Sequence, residues 1–299
     1  MRVLLTNDDG VDAEGVLAIR AALAAFCESV ITVAPEGDCS GFARKCTFSR
    51  PVGVTRVAGG QHPIYRCDGT PTDCVRAGLL GGLAAGADLV VSGINHGANL
   101  ADDITYSGTV GAGLEAAILW TPAICLSQQT PTGTFSVNYA EDLDSVGLAY
   151  DFSFPAAHGA GLARSVIGAR PAEPVVLSVN YPADRAADTS VLTRAGRRDY
   201  PRAAVPEWAG DGDVQWLYLF GEPDEIIPES DASLGTDIGA LRAGHVSVTP
   251  LSFAVELSDL SAGFQSFLGR LTETFPLANA MGRTSPAADS RCRRAGADQ

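Results

Sequence analysis

Lysine is nearly missing from this sequence of 299 residues, which contains one lysine, Lys45, and twenty arginines. The formal net charge is −14. Proteins that track a nucleic-acid backbone need clustered basic surface, so we expect no nucleic-acid groove. Long apolar runs are missing too, since none approaches the ~18 residues that cross a bilayer, and we expect no membrane span. A phosphate-bearing ligand of such an acidic chain is predicted to be small, with its charge neutralised by a cation, backbone N–H groups or single arginines.

Several cysteine and glycine motifs are also absent. The seven cysteines form no C-x-x-C pair, which indicates reduced thiols without a zinc site or a disulfide framework. The first residues lead straight into an apolar run instead of a cleavable signal, so a cytoplasmic location is expected. No G-x-G-x-x-G follows that run, and the glycines at 108–113 are wrongly spaced, which argues against a dinucleotide cofactor. The phosphate-binding G-x-x-x-x-G-K-[ST] loop and the nucleophile elbow G-x-S-x-G are missing as well.

What the sequence does contain is a regular alternation of apolar β-like runs with helical ones. The predicted strands are residues 2–6, 29–34, 88–92, 123–127 and 175–179, and the predicted helices are residues 14–26, 72–85, 111–120 and 157–169. Such alternation is typical of an α/β protein with a Rossmann-like, doubly wound, mostly parallel sheet and helices on both faces.

The pattern changes near residue 188. Short β-like runs at 215–220 and 246–250 lie there between polar loops, and a predicted helix follows at 264–274. We therefore predict a Rossmann-like core over residues 1–187 and a C-terminal β-hairpin and helix appendage over 188–280 that returns in part to the core. Residues 281–299 have few large apolar side chains, and we expect a disordered tail there.

Four polar clusters lie at the ends of these predicted elements. Asp8 and Asp9 follow the first strand, DCSG (38–41) the second and GINHGAN (93–99) the third, while YSGT (106–109) precedes a helix. In an open parallel sheet, ligands bind outside the carboxyl ends of the strands, so we expect these clusters to form one site. The side chains of Asp8, Asp9, Ser40 and Asn95 offer oxygen ligands, which favours a hard cation such as Mg²⁺ or Mn²⁺.

Each cluster also has a purely structural explanation. Asp-Asp-Gly alone is commonly a turn that caps the next helix, and the segment from Ser107 to Thr109 alone is equally well explained as a helix N-cap. Asp102 and Asp103 are either a pair that supports the site or the cap of a short turn. His96 is interpreted as a loop or packing residue. The joint occurrence of the clusters favours the ligand-binding interpretation.

Many of these segments resemble the SurE family of stationary-phase survival proteins, which are metal-dependent 5'/3'-nucleotidases. The similar segments are TNDDGVDA (6–13), AP (34–35) with SG (40–41), DGTPTDCV (68–75), VVSGINHGANLADDITYSGTVGAGLEAAILWTPAICLS (90–127), SVNYP (178–182), TRAGRRDY (193–200), GTDI (235–238) and GHVSVTPL (244–251). They keep their order over residues 1–255. The sequence departs from the family at 42–48, 133–154 and 201–212, and the first departure is where we expect nucleotide preference to diverge.

The resemblance implies a phosphomonoesterase that hydrolyses nucleoside 5'-monophosphates, with 3'-monophosphates as a further candidate, to nucleoside and phosphate. The positions that match the family's metal ligands are Asp8, Asp9, Ser40 and Asn95, which implies one divalent cation per subunit, Mg²⁺ or Mn²⁺. Asp8 and Asp9 are also the implied catalytic residues. Two roles stay open for Asp8: a base that acts on water, or the nucleophile that attacks phosphorus. The positions that match the phosphate-binding segment are Asn99, Ser107, Gly108 and Thr109.

The resemblance also implies a homodimer or homotetramer assembled through the appendage at 188–280. The run WLYLF (216–220) fits this assembly, because a small extension cannot bury it alone. Two alternative functions stay open: a phosphatase for another small phosphoester or short polyphosphate, and a non-catalytic nucleotide-binding regulator.

Overall fold

The computed structural model describes residues 1–133, 149–169, 173, 175–183, 189–198, 216–217, 219 and 233–252. The strands of this part of the chain are β1 (Arg2–Thr6), β2 (Ser29–Pro35), β3 (Val54–Ala58), β4 (Ile64–Cys67), β5 (Leu89–His96), β6 (Ala123–Gln128), β7 (Val176–Tyr181), β8 (Ser190–Leu192) and β9 (Val246–Leu251). Its α-helices are α1 (Glu14–Ala24), α2 (Pro71–Leu79), α3 (Gly108–Ile118), α4 (Ser153–Ala169) and α5 (Asp237–Arg242), and a 3₁₀ turn spans Ala101–Thr105.

All nine described strands join one sheet in the order β3-β4-β2-β1-β5-β6-β7-β9-β8. The strands from β4 to β7 in this order are parallel neighbours, whereas β3 runs antiparallel to β4 and β9 runs antiparallel to β7. The α/β fold with a mostly parallel sheet is therefore confirmed. The chain moves outward in one direction from β1 to β2 and in the other from β5 to β6, so the strand order reverses between β1 and β5. Open α/β sheets bind their ligands at such a switch point.

The two faces of the sheet carry separate apolar cores, as the alternation within β1 shows. Val3 and Leu5 point to a cluster that includes Ile19 of α1 and Ala160 of α4, while Leu4 points to the opposite cluster with α2 and α3. Successive side chains of a strand face opposite sides, so a continuous apolar run such as VLL fits a strand covered on both faces. Helices on both faces were predicted from the sequence and are observed.

Several element boundaries differ from the sequence prediction. Helix α3 begins at Gly108 instead of residue 111, because Ser107 caps it. Helix α2 ends at Leu79 instead of residue 85, where the glycine pair 81–82 follows. Strand β5 continues to His96 instead of ending at residue 92, with an irregular register between Ser92 and Asn95 in its pairing with β6. Part of the predicted loop 93–99 is therefore strand.

Four described elements were not predicted: β3, β4, β8 and α5. Strand β3 has three exposed residues in its middle, β4 is mostly half-buried and β8 has only three residues, so none shows a long apolar run. Beyond residue 188, β8 and β9 extend the same sheet. The division into core, appendage and tail stays a prediction, because the predicted helix at 264–274, the tail at 281–299 and half of the run 215–220 lie outside the described residues.

Candidate active site

Asp8 and Asp9 lie just beyond the carboxyl end of β1, at the switch point of the sheet. Asp8 is buried, with 3% of its surface exposed. The loop after β2 reaches the same place, because the Cys39 N–H donates to the Asp8 carbonyl oxygen at 2.7 Å. The predicted meeting of the first and second polar clusters at one edge is thus observed.

The Asp8 carboxylate is held by the first turn of α3. The Thr109 N–H donates to Asp8 Oδ2 at 3.0 Å, and the Thr109 hydroxyl donates to Asp8 Oδ1. Gly108 allows this approach, because a Cβ at that position would lie 2.8 Å from Asp8 Oδ2. The glycine of the YSGT segment therefore lets the carboxylate meet the start of the helix.

The electrostatic state of Asp8 is unusual for a carboxyl group. Burial raises its pKa to about 7, and the neighbouring charge of Asp9 acts in the same direction. The two hydrogen bonds from Thr109 oppose this rise without cancelling it. Two adjacent carboxylates with so few donors form a place where a positive charge is stabilising.

Asn95 is brought to Asp8 through Thr109. Thr109 Oγ1 lies 3.4 Å from Asn95 Oδ1, while Asn95 Nδ2 donates to the Gly97 carbonyl oxygen at 2.9 Å. The orientation of the Asn95 amide therefore turns its oxygen toward Thr109, whose hydroxyl bonds to Asp8. The role of Asn95 as a metal ligand stays a prediction.

Ser40 has a different set of contacts from the other predicted ligands. Its hydroxyl donates to Asp38 Oδ1 at 2.6 Å, and its N–H donates to the same oxygen at 2.8 Å. These two bonds form a compact turn directly after Cys39, whose N–H is bonded to Asp8. Ser40 is thus on the loop that reaches the site, with its hydroxyl engaged by Asp38.

The predicted phosphate-binding residues also have identifiable partners. Ser107 Oγ accepts the Val110 N–H at 3.1 Å, which is an N-cap bond, and the hydroxyl of Thr109 is directed to Asp8. The Asn99 side chain donates to Ser127 Oγ at 2.8 Å, and the Asn99 N–H donates to Asn180 Oδ1 at 2.8 Å. The capping role of Ser107 is therefore observed, and phosphate binding by these residues stays a prediction.

His96 and the acidic pair gain roles that the sequence left open. His96 packs edge-on against Tyr150 and Phe152, as a packing residue would, but its Nδ1 also lies 3.3 Å from Asp9 Oδ2. Asp102 and Asp103 of the 3₁₀ turn pair with Arg197 and Arg198.

These contacts were missed because they join segments far apart in the chain. The available signal was weak: a doubled arginine in TRAGRRDY matches the doubled aspartate in NLADDITY.

The donor set fits a hard cation. Among the described residues, no three His, Cys, Asp or Glu side chains are grouped to hold a metal ion. Two carboxylates and an amide oxygen are the ligands that Mg²⁺ and Mn²⁺ prefer. The charge of Asp9 raises the pKa of Asp8, because the two carboxylates repel each other. A cation bound between them would relieve this repulsion.

Together, the doubly wound sheet, the paired carboxylates at its switch point and the helix N-terminus beside them define an α/β protein with an acidic site suited to a cation and a small anion. The chain belongs to the SurE family, because the family model described as survival protein SurE matches residues 3–202.

The chain is similar to proteins named 5'-nucleotidase SurE. That of Laribacter hongkongensis is 39% identical over 84% of this chain and 93% of the relative, and that of Geobacter sulfurreducens is 38% identical over 84% and 87%. Among solved structures, the SurE protein from Aquifex aeolicus aligns with a TM-score of 0.69 and 30% identity, covering 92% of this chain and 99% of that one.

Proposed function

We propose that this chain is a metal-dependent 5'-nucleotidase that hydrolyses nucleoside 5'-monophosphates, and 3'-monophosphates as a further substrate class, to nucleoside and inorganic phosphate. The observation that carries the proposal is the buried Asp8 beside Asp9, bonded by the N–H and hydroxyl of Thr109 at the start of α3. The similarity to proteins named 5'-nucleotidase SurE supports the same reaction.

One divalent cation per chain, Mg²⁺ or Mn²⁺, is proposed at Asp8, Asp9, Ser40 and Asn95. When bound, such a cation polarises a phosphoryl oxygen and lowers the pKa of a coordinated water. The Ser40 hydroxyl donates its proton to Asp38, which leaves the lone pairs of its oxygen available to a cation.

The chain's own residues supply the binding and orientation of the phosphate. N–H groups at the start of a helix favour an anion, so the Ser107, Gly108 and Thr109 segment is proposed to hold phosphoryl oxygens. Because the Thr109 N–H is bonded to Asp8 and the Val110 N–H to Ser107, the Gly108 N–H and the Ser107 hydroxyl proton are the donors proposed for this contact. Thr109 also fixes the Asp8 carboxylate through two bonds, and Asn99 is held against Ser127 and Asn180. We propose Asp8 and Asp9 as the catalytic carboxylates, and the two bonds from Thr109 to Asp8 support this role.

A phosphate-release assay tests the function. The panel contains nucleoside 5'- and 3'-monophosphates, a sugar phosphate and a short polyphosphate, each with Mg²⁺, Mn²⁺ or EDTA. We expect release from nucleoside monophosphates with metal and none with EDTA. Release only from the other phosphoesters would assign a different phosphatase, and nucleotide binding without release would assign a regulator.

We also propose a homodimer or homotetramer in the cytoplasm. Trp216, Leu217 and Leu219 support self-association, because they expose 51%, 40% and 71% of their surfaces on the single chain. None of the helices in the described part of the chain has the length and apolar character of a membrane span. Light scattering at micromolar concentration checks the assembly, and a mass of 30.9 kDa, that of one chain, would contradict it.

A further inference from the structure

We propose that Arg198 is a positioning residue for catalysis: it holds Asp103, and through Asp103 it sets where the segment from Ser107 to Thr109 stands relative to Asp8. The inference rests on the nucleotidase function proposed above. It adds a residue from the late part of the chain that is not among the predicted ligands of metal or phosphate.

Arg198 contacts two consecutive acidic residues of the 3₁₀ turn, Asp102 and Asp103. Its Nε lies 3.0 Å from Asp103 Oδ2, and its side chain is only 2% exposed. Its backbone N–H donates to Asp102 Oδ2 at 2.9 Å. One residue therefore fixes the turn by a buried ion pair and by a main-chain hydrogen bond at the same time.

The beginning of the turn is fixed from the same part of the chain. Asp237 accepts the Ala101 N–H at 2.8 Å with one oxygen and the Gly196 N–H at 2.8 Å with the other. Ala101 has a φ of 51°, a conformation that L residues adopt at a cost and that needs support from its surroundings. The turn is thus anchored at its start by Asp237 and in its middle by Arg198.

The turn leads directly to the proposed phosphate-binding segment. The Asp103 carbonyl oxygen accepts the Tyr106 N–H at 2.9 Å, and Tyr106 immediately precedes Ser107, the N-cap of α3. Thr109, two residues further, bonds to Asp8. A shift of Asp103 therefore displaces the start of α3 relative to the carboxylate that it holds.

The buried pair is better explained by geometry than by stability. Two charges lose their hydration on burial, and this loss offsets most of their attraction, so a buried ion pair is weak evidence of stability, although removal of one partner alone leaves a costly unpaired charge. What such a pair provides is a fixed distance between two chain segments. Catalysis depends on fixed distances, since misplacing a group by about 1 Å can lower a rate on the order of a hundredfold.

The neighbouring arginine offers a matched control. Arg197 pairs with Asp102 at 3.1 Å, but its side chain is 75% exposed, and exposed pairs contribute little. Arg198→Met and Arg197→Met are compared for kcat, KM, inhibition by inorganic phosphate and melting temperature at saturating Mn²⁺. We expect Arg198→Met to lose turnover on the order of a hundredfold with weaker phosphate inhibition, and Arg197→Met to match the wild type.

Two further variants separate positioning from folding. Arg198→Lys keeps the charge and should restore part of the lost turnover, while Asp103→Glu keeps the ion pair but lengthens one partner by a methylene. Asp103→Glu should lower kcat while the melting temperature stays close to that of the wild type. If Arg198→Met does not fold, these two variants decide.

The possible failures are distinguishable. A wild type that releases no phosphate overturns the nucleotidase proposal and this inference together. An active wild type overturns this inference alone if Arg198→Met, or Asp103→Glu where the former does not fold, keeps wild-type turnover per folded molecule and wild-type phosphate inhibition, whatever happens to the melting temperature.

Discussion

Two buried aspartates in this chain, each beside a helix N-terminus, have opposite protonation behaviour. Asp73 in the first turn of α2 is 6% exposed and Asp8 beside α3 is 3% exposed. Burial acts to raise the pKa of Asp73, but donors from Thr47 and Thr70 outweigh it and hold the pKa below its usual value. Burial and the charge of Asp9 raise the pKa of Asp8 to about 7.

The difference lies in the partners that surround each carboxylate. Asp73 accepts the Thr47 N–H at 3.0 Å, the Thr47 hydroxyl at 2.7 Å and the Thr70 N–H at 2.9 Å, the last within a capping box. Asp8 has donors from Thr109 and a second carboxylate next to it. At Asp73 the fold supplies hydrogen-bond donors to both carboxylate oxygens. At Asp8 it leaves a negative charge that a bound cation would neutralise.

The largest expected effect that tests this comparison is on turnover. Asp8→Asn should lower phosphate release by more than about a thousandfold at saturating metal, because it removes one anionic ligand and a proposed catalytic oxygen. The matched variant Asp73→Asn should keep its turnover per folded molecule. Near wild-type release by Asp8→Asn would show that the two carboxylates differ in environment but not in role.

The second prediction concerns stability and pH in EDTA-treated protein. The folded pKa of Asp8, about 7, exceeds its unfolded value of 3.8, so the folded state binds more protons in that interval. Stability should therefore rise as pH falls from 8 to 5, by about 2 to 3 kcal/mol from this group. Asp73 has the opposite sign, and its contribution is lost only as pH falls below about 3.8.

Urea unfolding of the wild type and Asp8→Asn at pH 5, 6, 7 and 8 measures the effect. The stability advantage of Asp8→Asn should grow with pH through this range. A difference that is constant from pH 5 to pH 8 would mean that Asp8 does not titrate in it.

The third prediction is a smaller effect at Thr109. Thr109→Val removes the hydroxyl that orients Asp8, so Mn²⁺ affinity and turnover should each fall about 10- to 100-fold. Thr109→Ser keeps a hydroxyl and should retain most of both. Calorimetric Mn²⁺ titration with turnover on the same preparations checks this, and a lower melting temperature with unchanged affinity and rate would leave Thr109 a helix residue only.

The smallest expected effect is on the stability of α2. Asp73→Asn leaves the donors of Thr47 and Thr70 without a charged acceptor, which should cost about 1 to 2 kcal/mol in the free energy of unfolding. Urea unfolding at pH 7 measures it. Unchanged stability would mean that a neutral amide satisfies these donors equally well and would weaken the contrast with Asp8.

The sequence predicted the fold where apolar runs were long and local. Strand β1 and helix α4 were found because burial on one or both faces imposes a visible pattern, whereas β8, a three-residue strand with two exposed residues, carries none. The site edge followed from the same logic, since carboxyl ends of parallel strands meet. The helix start at Gly108 was misplaced because glycines in its first turns lower the apparent helix signal.

The contacts between side chains inside the site could not be predicted from the sequence. The Thr109 hydroxyl was assigned to phosphate from the sequence, and the structure directs it to Asp8. The contact of His96 with Asp9 and that of Arg198 with Asp103 depend on how separate segments pack. Residue types and spacing predict which edge of a sheet is polar, but partner choice among polar groups at that edge is a matter of distances of about 3 Å.

A calorimetric titration of Mn²⁺ into EDTA-stripped wild type, Asp8→Asn and Asp73→Asn tests most directly whether Asp8 is a ligand of the cation. The expected result is one Mn²⁺ per chain for the wild type and for Asp73→Asn, and a loss of at least about 100-fold in affinity for Asp8→Asn. Equal Mn²⁺ affinity in the wild type and Asp8→Asn would contradict it, because the buried carboxylate with the raised pKa would then not be the cation's ligand.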